Sequence, residues 1–178
     1  MDTNLNLVVD QVSKDKGIDS KVLQRALEEA ILVAAKRTFG AERNLSAEYN
    51  EEKGAVDLTQ TITVVETVED AFNEISVEKC RELGIDVEPG DQMVFPIYYL
   101  EQDAAAAKEQ DEMYGDILRL KTYRRGFGRI AAQTAKQVII QRIRDAEKDL
   151  IYEEFKDRLG EIVYGIVRRF ERKDMIVD

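Results

Sequence analysis

The feature that most constrains this chain is one long run near its C-terminal end. From residue 128 to about 158, Ala131, Ala135, Val138, Ile139, Ile143, Ala146, Leu150 and Ile151 recur at three- and four-residue spacing, the apolar stripe of a single amphipathic helix. Arg129 and Lys136, seven apart, share a different face. At 1.5 Å per residue, about 30 residues span roughly 45 Å, more than one compact domain of this size requires. A chain of 178 residues buries one substantial core with at most a small second unit, so the helix is expected to connect two bodies.

The larger body precedes it. Leu5, Val8, Val9 and Val12 have the spacing of a short helix over 4–13, with Gly17 placed to end it. Asp19 and Ser20 then cap a second helix carrying Val22, Leu23, Ala26, Leu27, Ala30, Ile31 and Ala34, with Ile18 placed as a hydrophobic staple. It should run to about Thr38, with Gly40 beyond it, and Lys36 and Arg37 in its last turn complement the helix dipole. After Gly40 the period falls to two. Leu45, Ala47 and Tyr49 alternate with polar residues, 50–54 (NEEKG) supplies turn chemistry, and 55–68 is rich in Thr, Val and Ile, which together predict a β-hairpin. A short helix over 77–83 ends at Gly84, and the turn 88–91 (EPGD) leads into the apolar run 93–100. Residues 101–113 (EQDAAAAKEQDEM) are Ala-rich and acidic, an exposed helix or mobile loop, and 116–123 (DILRLKTY) alternates imperfectly, as an edge strand does. The order of elements is that of an α+β domain.

Beyond the helix, 160–167 (GEIVYGIV) and 175–177 return to strand character around the turn 171–174. A lone hairpin is marginal in water, so this tail reads as the opening of a β module.

Composition narrows the chemistry. The chain has no histidine and one cysteine, Cys80, which removes the commonest general base and metal ligand and any internal disulfide. No metal site or cofactor is expected. Carboxylates are plentiful, but Glu51–Glu52, Asp111–Glu112 and Glu153–Glu154 are adjacent pairs that would face different ways on a helix, so no acid/base pair stands out. The chain does not read as an enzyme. No run approaches the roughly 20 apolar residues of a membrane helix, and the start MDTNLNLVVD has no secretory signal pattern; no membrane partner and a cytoplasmic address are expected.

Net charge is −10, against a surface that clamps nucleic acid all round. The charge is uneven. Residues 1–123 carry 13 Lys and Arg against 26 Asp and Glu, whereas 124–148 carry seven cations (Arg124, Arg125, Arg129, Lys136, Arg142, Arg144, Lys148) against Asp145 and Glu147. Such a run is either a solvated helix face or a binding surface. Tyr98, Tyr99 and Phe127 are candidates for stacking on bases, with core packing as the plainer role.

Within the basic run, Gly126-x-Gly128-x-x-Ala131 satisfies a loose dinucleotide-binding fingerprint. That site needs a strand, a tight turn, a moderate helix and a second strand ending in an acidic ribose ligand, all within about 30 residues. Here the helix alone is that long, and Asp145 and Glu147 fall inside it. The loop is better read as a turn into the helix, with Arg129 projecting from the first turn.

The stretch 127–148, FGRIAAQTAKQVIIQRIRDAEK, resembles the hallmark segment of the N-terminal domain of the bacterial transcription elongation and termination factor NusA. Three others agree in order: 22–37 (VLQRALEEAILVAAKR) is similar to the family's second helix, 75–91 (ISVEKCRELGIDVEPGD) to the segment before its last strand, and 160–178 (GEIVYGIVRRFERKDMIVD) to the opening of the S1 domain that follows. The resemblance implies N-terminal helices packed with a small, mainly antiparallel sheet, then a long connecting helix leading to a truncated S1/OB-type β segment. On this basis residues 1–158 form the polymerase-binding domain and 159–178 an incomplete S1 start.

The family runs from one Gly-Asp pair directly into the helix, whereas this sequence has two, Gly90–Asp91 and Gly115–Asp116. The expectation is an insertion of about 25 residues within 91–115, forming an extra strand and an acidic helix at the domain edge. The resemblance further implies a non-enzymatic regulator that docks on RNA polymerase beside the RNA exit channel, at the β-subunit flap. There it favours pausing and hairpin-dependent termination, and takes part in antitermination with other factors. Lys36, Arg37, Arg129 and Lys136 match basic positions that face the nascent RNA hairpin; no residue is matched to the flap. A stand-alone RNA-binding module is the competing reading.

Overall fold

Local capping sets the first two helices. α1 (Leu5–Lys16) starts where the Asn4 side chain accepts from the Asn6 amide and stops at Gly17, whose φ of +66° suits glycine. α2 (Ser20–Phe39) starts at Asp19, whose carboxylate accepts from the Lys21 amide at 2.8 Å, and ends at Gly40. The computed structural model describes residues 4–177; residues 1–3 and Asp178, which belong to the first and last stretches quoted above, lie outside the described residues. By internal contacts the chain divides between Arg144 and Asp145 into two units.

In the first unit, β1 (Leu45–Asn50) and β2 (Ala55–Val65) form the expected antiparallel hairpin, closed by a hydrogen bond that the Gly54 N–H donates to the Asn50 carbonyl. β3 (Glu74–Ser76) runs parallel to the end of β2, and β4 (Gln92–Pro96) runs antiparallel to its middle. Thr59 and Gln60 pair with both β1 and β4, and Thr63 pairs with both β3 and β4. β4 therefore takes one edge of β2, while β1 and β3 follow one another along the other. Even-numbered residues of β2 (Val56, Leu58, Ile62, Val64) are buried against Leu23, Leu27 and Ile31 of α2 in a single core cluster. Each such side chain contributes about 1.5–3 kcal/mol by leaving water.

The same face of β2 holds a polar residue, Gln60, fully buried. Its carbonyl oxygen accepts from Arg43 Nη1 at 3.0 Å and its amide donates to the Phe72 carbonyl at 2.8 Å. Arg43, itself 3% exposed, also donates to the carbonyls of Phe39 (2.7 Å) and Leu118 (2.8 Å) and lies over the Phe72 ring. One guanidinium thus joins the end of α2, the sheet and a later helix.

β3 leads into α3 (Val77–Glu82), capped by Ser76. After β4, α4 (Ala104–Leu118) and the short α5 (Lys121–Arg124) precede α6 (Phe127–Phe155). The edge strand expected over 116–123 is not formed. Gln110, Tyr114, Ile117 and Leu118 make one helical face, and α4 ends where Arg119 turns left-handed at φ +50°. That turn buries both Leu118 and Leu120, whose two-residue spacing imitates a strand.

α6 buries Phe127, Ala131, Ala135 and Ile139, with Val138 and Ile143 partly covered. The expected stripe does not continue as core, because Leu150 and Ile151 are 63% and 60% exposed. The second unit adds β5 (Val167–Glu171) and β6 (Asp174–Val177), an antiparallel pair turning at Arg172 with φ +56°. The strand expected over 160–167 starts only at Val167. The Glu161 amide instead donates to the Arg158 carbonyl, and β6 pairs only with Val167–Glu171, so among the described residues no strand of the second unit pairs with 162–166.

Candidate nucleic-acid interface

The start of α6 is built by two glycines with different roles. Gly126 has φ +107°, a conformation side chains rarely adopt. Gly128 is helical, but a Cβ there would lie 2.9 Å from the Tyr99 carbonyl oxygen, so glycine admits the chain after β4 against the helix. The preceding residues are helical rather than a strand, and the dinucleotide fingerprint has no strand to stand on. Phe127 between the glycines is fully buried, packed on Phe39 and Tyr99 with ring centroids at 4.9 and 5.2 Å. Tyr99 donates its hydroxyl to the Val56 carbonyl, and burial pushes its pKa well up. Phe127 and Tyr99 are therefore packing residues; Tyr98 remains half-buried beside them.

This arrangement turns one face of α6 outward. Arg129, Gln133, Lys136 and Ile140 follow one another along that face and line a broad groove bounded also by α4, α5 and residues 98–102. Lys36 and Arg37 are exposed on the last turn of α2 and do not line the groove. The two pairs are linked through the core: Phe39, two residues after Arg37, meets Phe127, two residues before Arg129. None of these four cations takes part in an ion pair among the described residues.

Two neighbours in the basic run prove to be different. Arg124 is directed into the fold: it pairs with Asp111 at 2.8 Å and donates to Gln110 Oε1 (2.8 Å) and the Ala107 carbonyl (3.2 Å), while Gln110 donates to the Pro96 carbonyl. It fastens α5 to α4 and, through Gln110, to β4. Arg125, adjacent, is exposed in the groove, as is Lys121. Charge counting could not separate Arg124 from Arg125, because the distinction depends on α4 lying alongside.

The fold and groove define the class: a small α+β domain presenting unpaired cations from the first half of a long helix. The chain belongs to the NusA N-terminal domain family, whose model matches residues 4–111 and 100–149. It is 35% identical over 171 residues to the transcription termination/antitermination protein NusA of Rickettsia prowazekii and 36% identical over 166 residues to that of Bacillus subtilis. These alignments cover 96% and 93% of this chain but 29% and 38% of the relatives, so the chain spans about a third of their length. The solution structure of the N-terminal domain of NusA from B. subtilis is similar at 30% identity and a TM-score of 0.57, covering 83% of this chain and 99% of that one. The family comprises transcription factors and not enzymes, in accord with the non-enzymatic reading. No helix of the described residues is long and apolar enough to cross a membrane.

Proposed function

We propose that this chain regulates transcription by docking on RNA polymerase near the RNA exit channel, at the β-subunit flap. From there it supports pausing, hairpin-dependent termination and antitermination. Lys36, Arg37, Arg129 and Lys136 face the nascent RNA hairpin. The observation that carries this reading is a set of four exposed cations free of ion pairs, on a chain of net charge −10 whose relatives are named transcription termination/antitermination proteins. An acidic body resists indiscriminate RNA binding, while a local cationic face stabilises phosphates that the polymerase holds nearby. In this reading residues 1–158 are the polymerase-binding domain, with an insertion within 91–115, and 159–178 open an S1 domain.

The test is capture of the polymerase flap by this chain, compared with the Arg37→Glu/Arg129→Glu variant. Flap capture should survive the double change while the effect on hairpin pausing falls. Tight RNA binding without polymerase, lost in the same variant, would instead favour a stand-alone RNA-binding module.

A further inference from the structure

We propose that the groove along α6 holds the backbone of single-stranded RNA, and that Lys121 and Arg125 grip its phosphates together with Arg129 and Lys136. This rests on the RNA-facing reading above and extends it from the hairpin to the single strand adjoining it, and to two residues outside the four matched positions.

All four cations line the same groove, all are exposed, and none is in an ion pair among the described residues. The groove's carboxylates do not answer them: Asp111 is held by Arg124 at 2.8 Å and Glu112 faces Lys108 at 3.8 Å, leaving Glu101. Cations gathered in a concavity raise its potential more than the same charges spread over a convex surface. A ligand carrying regularly spaced negative charges relieves that repulsion.

The spacing of the cations favours nucleic acid over a protein partner. Arg129 and Lys136 are two turns apart on one face, about 10 Å along the axis, and Arg125 continues the row before the Gly126 turn. Between Arg129 and Lys136 the α6 wall of the groove is small or polar, with Ala132 and Gln133, while Leu5, Val8, Leu100 and Ile140 supply apolar lining elsewhere in it. A partner helix docks through an apolar stripe, which this row does not offer. Tyr98, half-buried in the lining, presents a ring on which any base can stack.

The experiment measures the weak binding of the full chain to a fluorescent oligo-uridine over a series of low salt concentrations; tight binding without polymerase would instead mark the stand-alone module. Each lost phosphate contact to a single strand removes about 0.7 from the log–log salt slope. Lys121→Gln/Arg125→Gln should therefore flatten the slope by about 1.4, with Lys121→Arg/Arg125→Lys retaining it and circular dichroism unchanged. If only Arg129→Gln/Lys136→Gln flattens the slope, this proposal is overturned while the RNA-facing reading stands. If neither pair does, this proposal is overturned, and the RNA-facing reading is judged by the pausing assay with polymerase. A glutamate-rich peptide that binds with the same dependence on Lys121 and Arg125, where oligo-uridine does not, would assign the groove to an acidic protein partner and overturn the proposal.

Discussion

Phe39 at the end of α2 and Phe127 at the start of α6 meet with ring centroids 4.9 Å apart and planes tilted by 55°. The contact sets how the last turn of one helix stands against the first turn of the other, and so how Arg37 and Arg129 are presented. Phe127 is fully buried, and Phe127→Ala should destabilise the fold by about 3–5 kcal/mol, read as a lower urea midpoint. Phe127→Leu should lose less, because the cavity it leaves is smaller.

The two glycines of the loop should respond to alanine for separate reasons. At Gly128 alanine gains helix propensity of about 1 kcal/mol, but its Cβ meets the Tyr99 carbonyl oxygen at 2.9 Å, and backbone yields less readily than a side-chain tip. The net expectation is a loss of about 1–3 kcal/mol. At Gly126 space is open and the cost comes from φ +107°, again about 1–3 kcal/mol. Thermal melts of the two variants check both, and a neutral Gly128→Ala would show that the loop after β4 moves away freely.

Arg43 has three acceptors, Phe39 and Leu118 carbonyls and Gln60 Oε1, arranged around one planar group. Burial lowers its pKa, partly offset by nearby Glu42. Arg43→Met strands all three acceptors and should cost about 3 kcal/mol or more. Arg43→Lys should not restore it, since an ammonium cannot match the fork. Equilibrium unfolding of both variants is the measurement.

Tyr49 donates to Asn6 Oδ1 at 2.8 Å, and burial, with Asp10 and Glu51 nearby, pushes its pKa up to about 12. The folded state thus favours the neutral phenol. This contribution is complete below the unfolded value of 10.0 and is lost as pH rises from there through about 12. Stability should fall across that window, and Tyr49→Phe should fall less steeply while starting about 1 kcal/mol lower at neutral pH. Equal steepness in the two proteins would remove Tyr49 from the account.

Much of this fold could be read from local chemistry. Asp19 and Ser20 mark a helix start, Gly17 and Gly84 mark helix ends, and the alternation of Leu45, Ala47 and Tyr49 marks the inner face of β1, because each signal acts within a few residues. The segment 116–123 was misread for a physical reason: left-handed Arg119 turns Leu118 and Leu120 to the same interior, and their spacing then has the period of a strand. The tail 160–167 has strand composition, but composition supplies no partner for its hydrogen bonds. At the candidate site, Arg129 and Lys136 were legible from their shared helical face, whereas the different fates of Arg124 and Arg125 were not.

The sequence by itself determined the first three helices and the long last one, the hairpin, the basic run on an acidic chain and the family, since these follow from periodicity, capping and residue identity along the chain. Tertiary structure alone decided which charges are available. Arg43 is enclosed by carbonyls and Gln60, and Arg124 by α4, while Lys121, Arg125, Arg129 and Lys136 are left together in one groove. Whether a cation serves the core or faces a ligand depends on acceptors that mostly belong to other elements of the fold, and only packing brings those within hydrogen-bond reach.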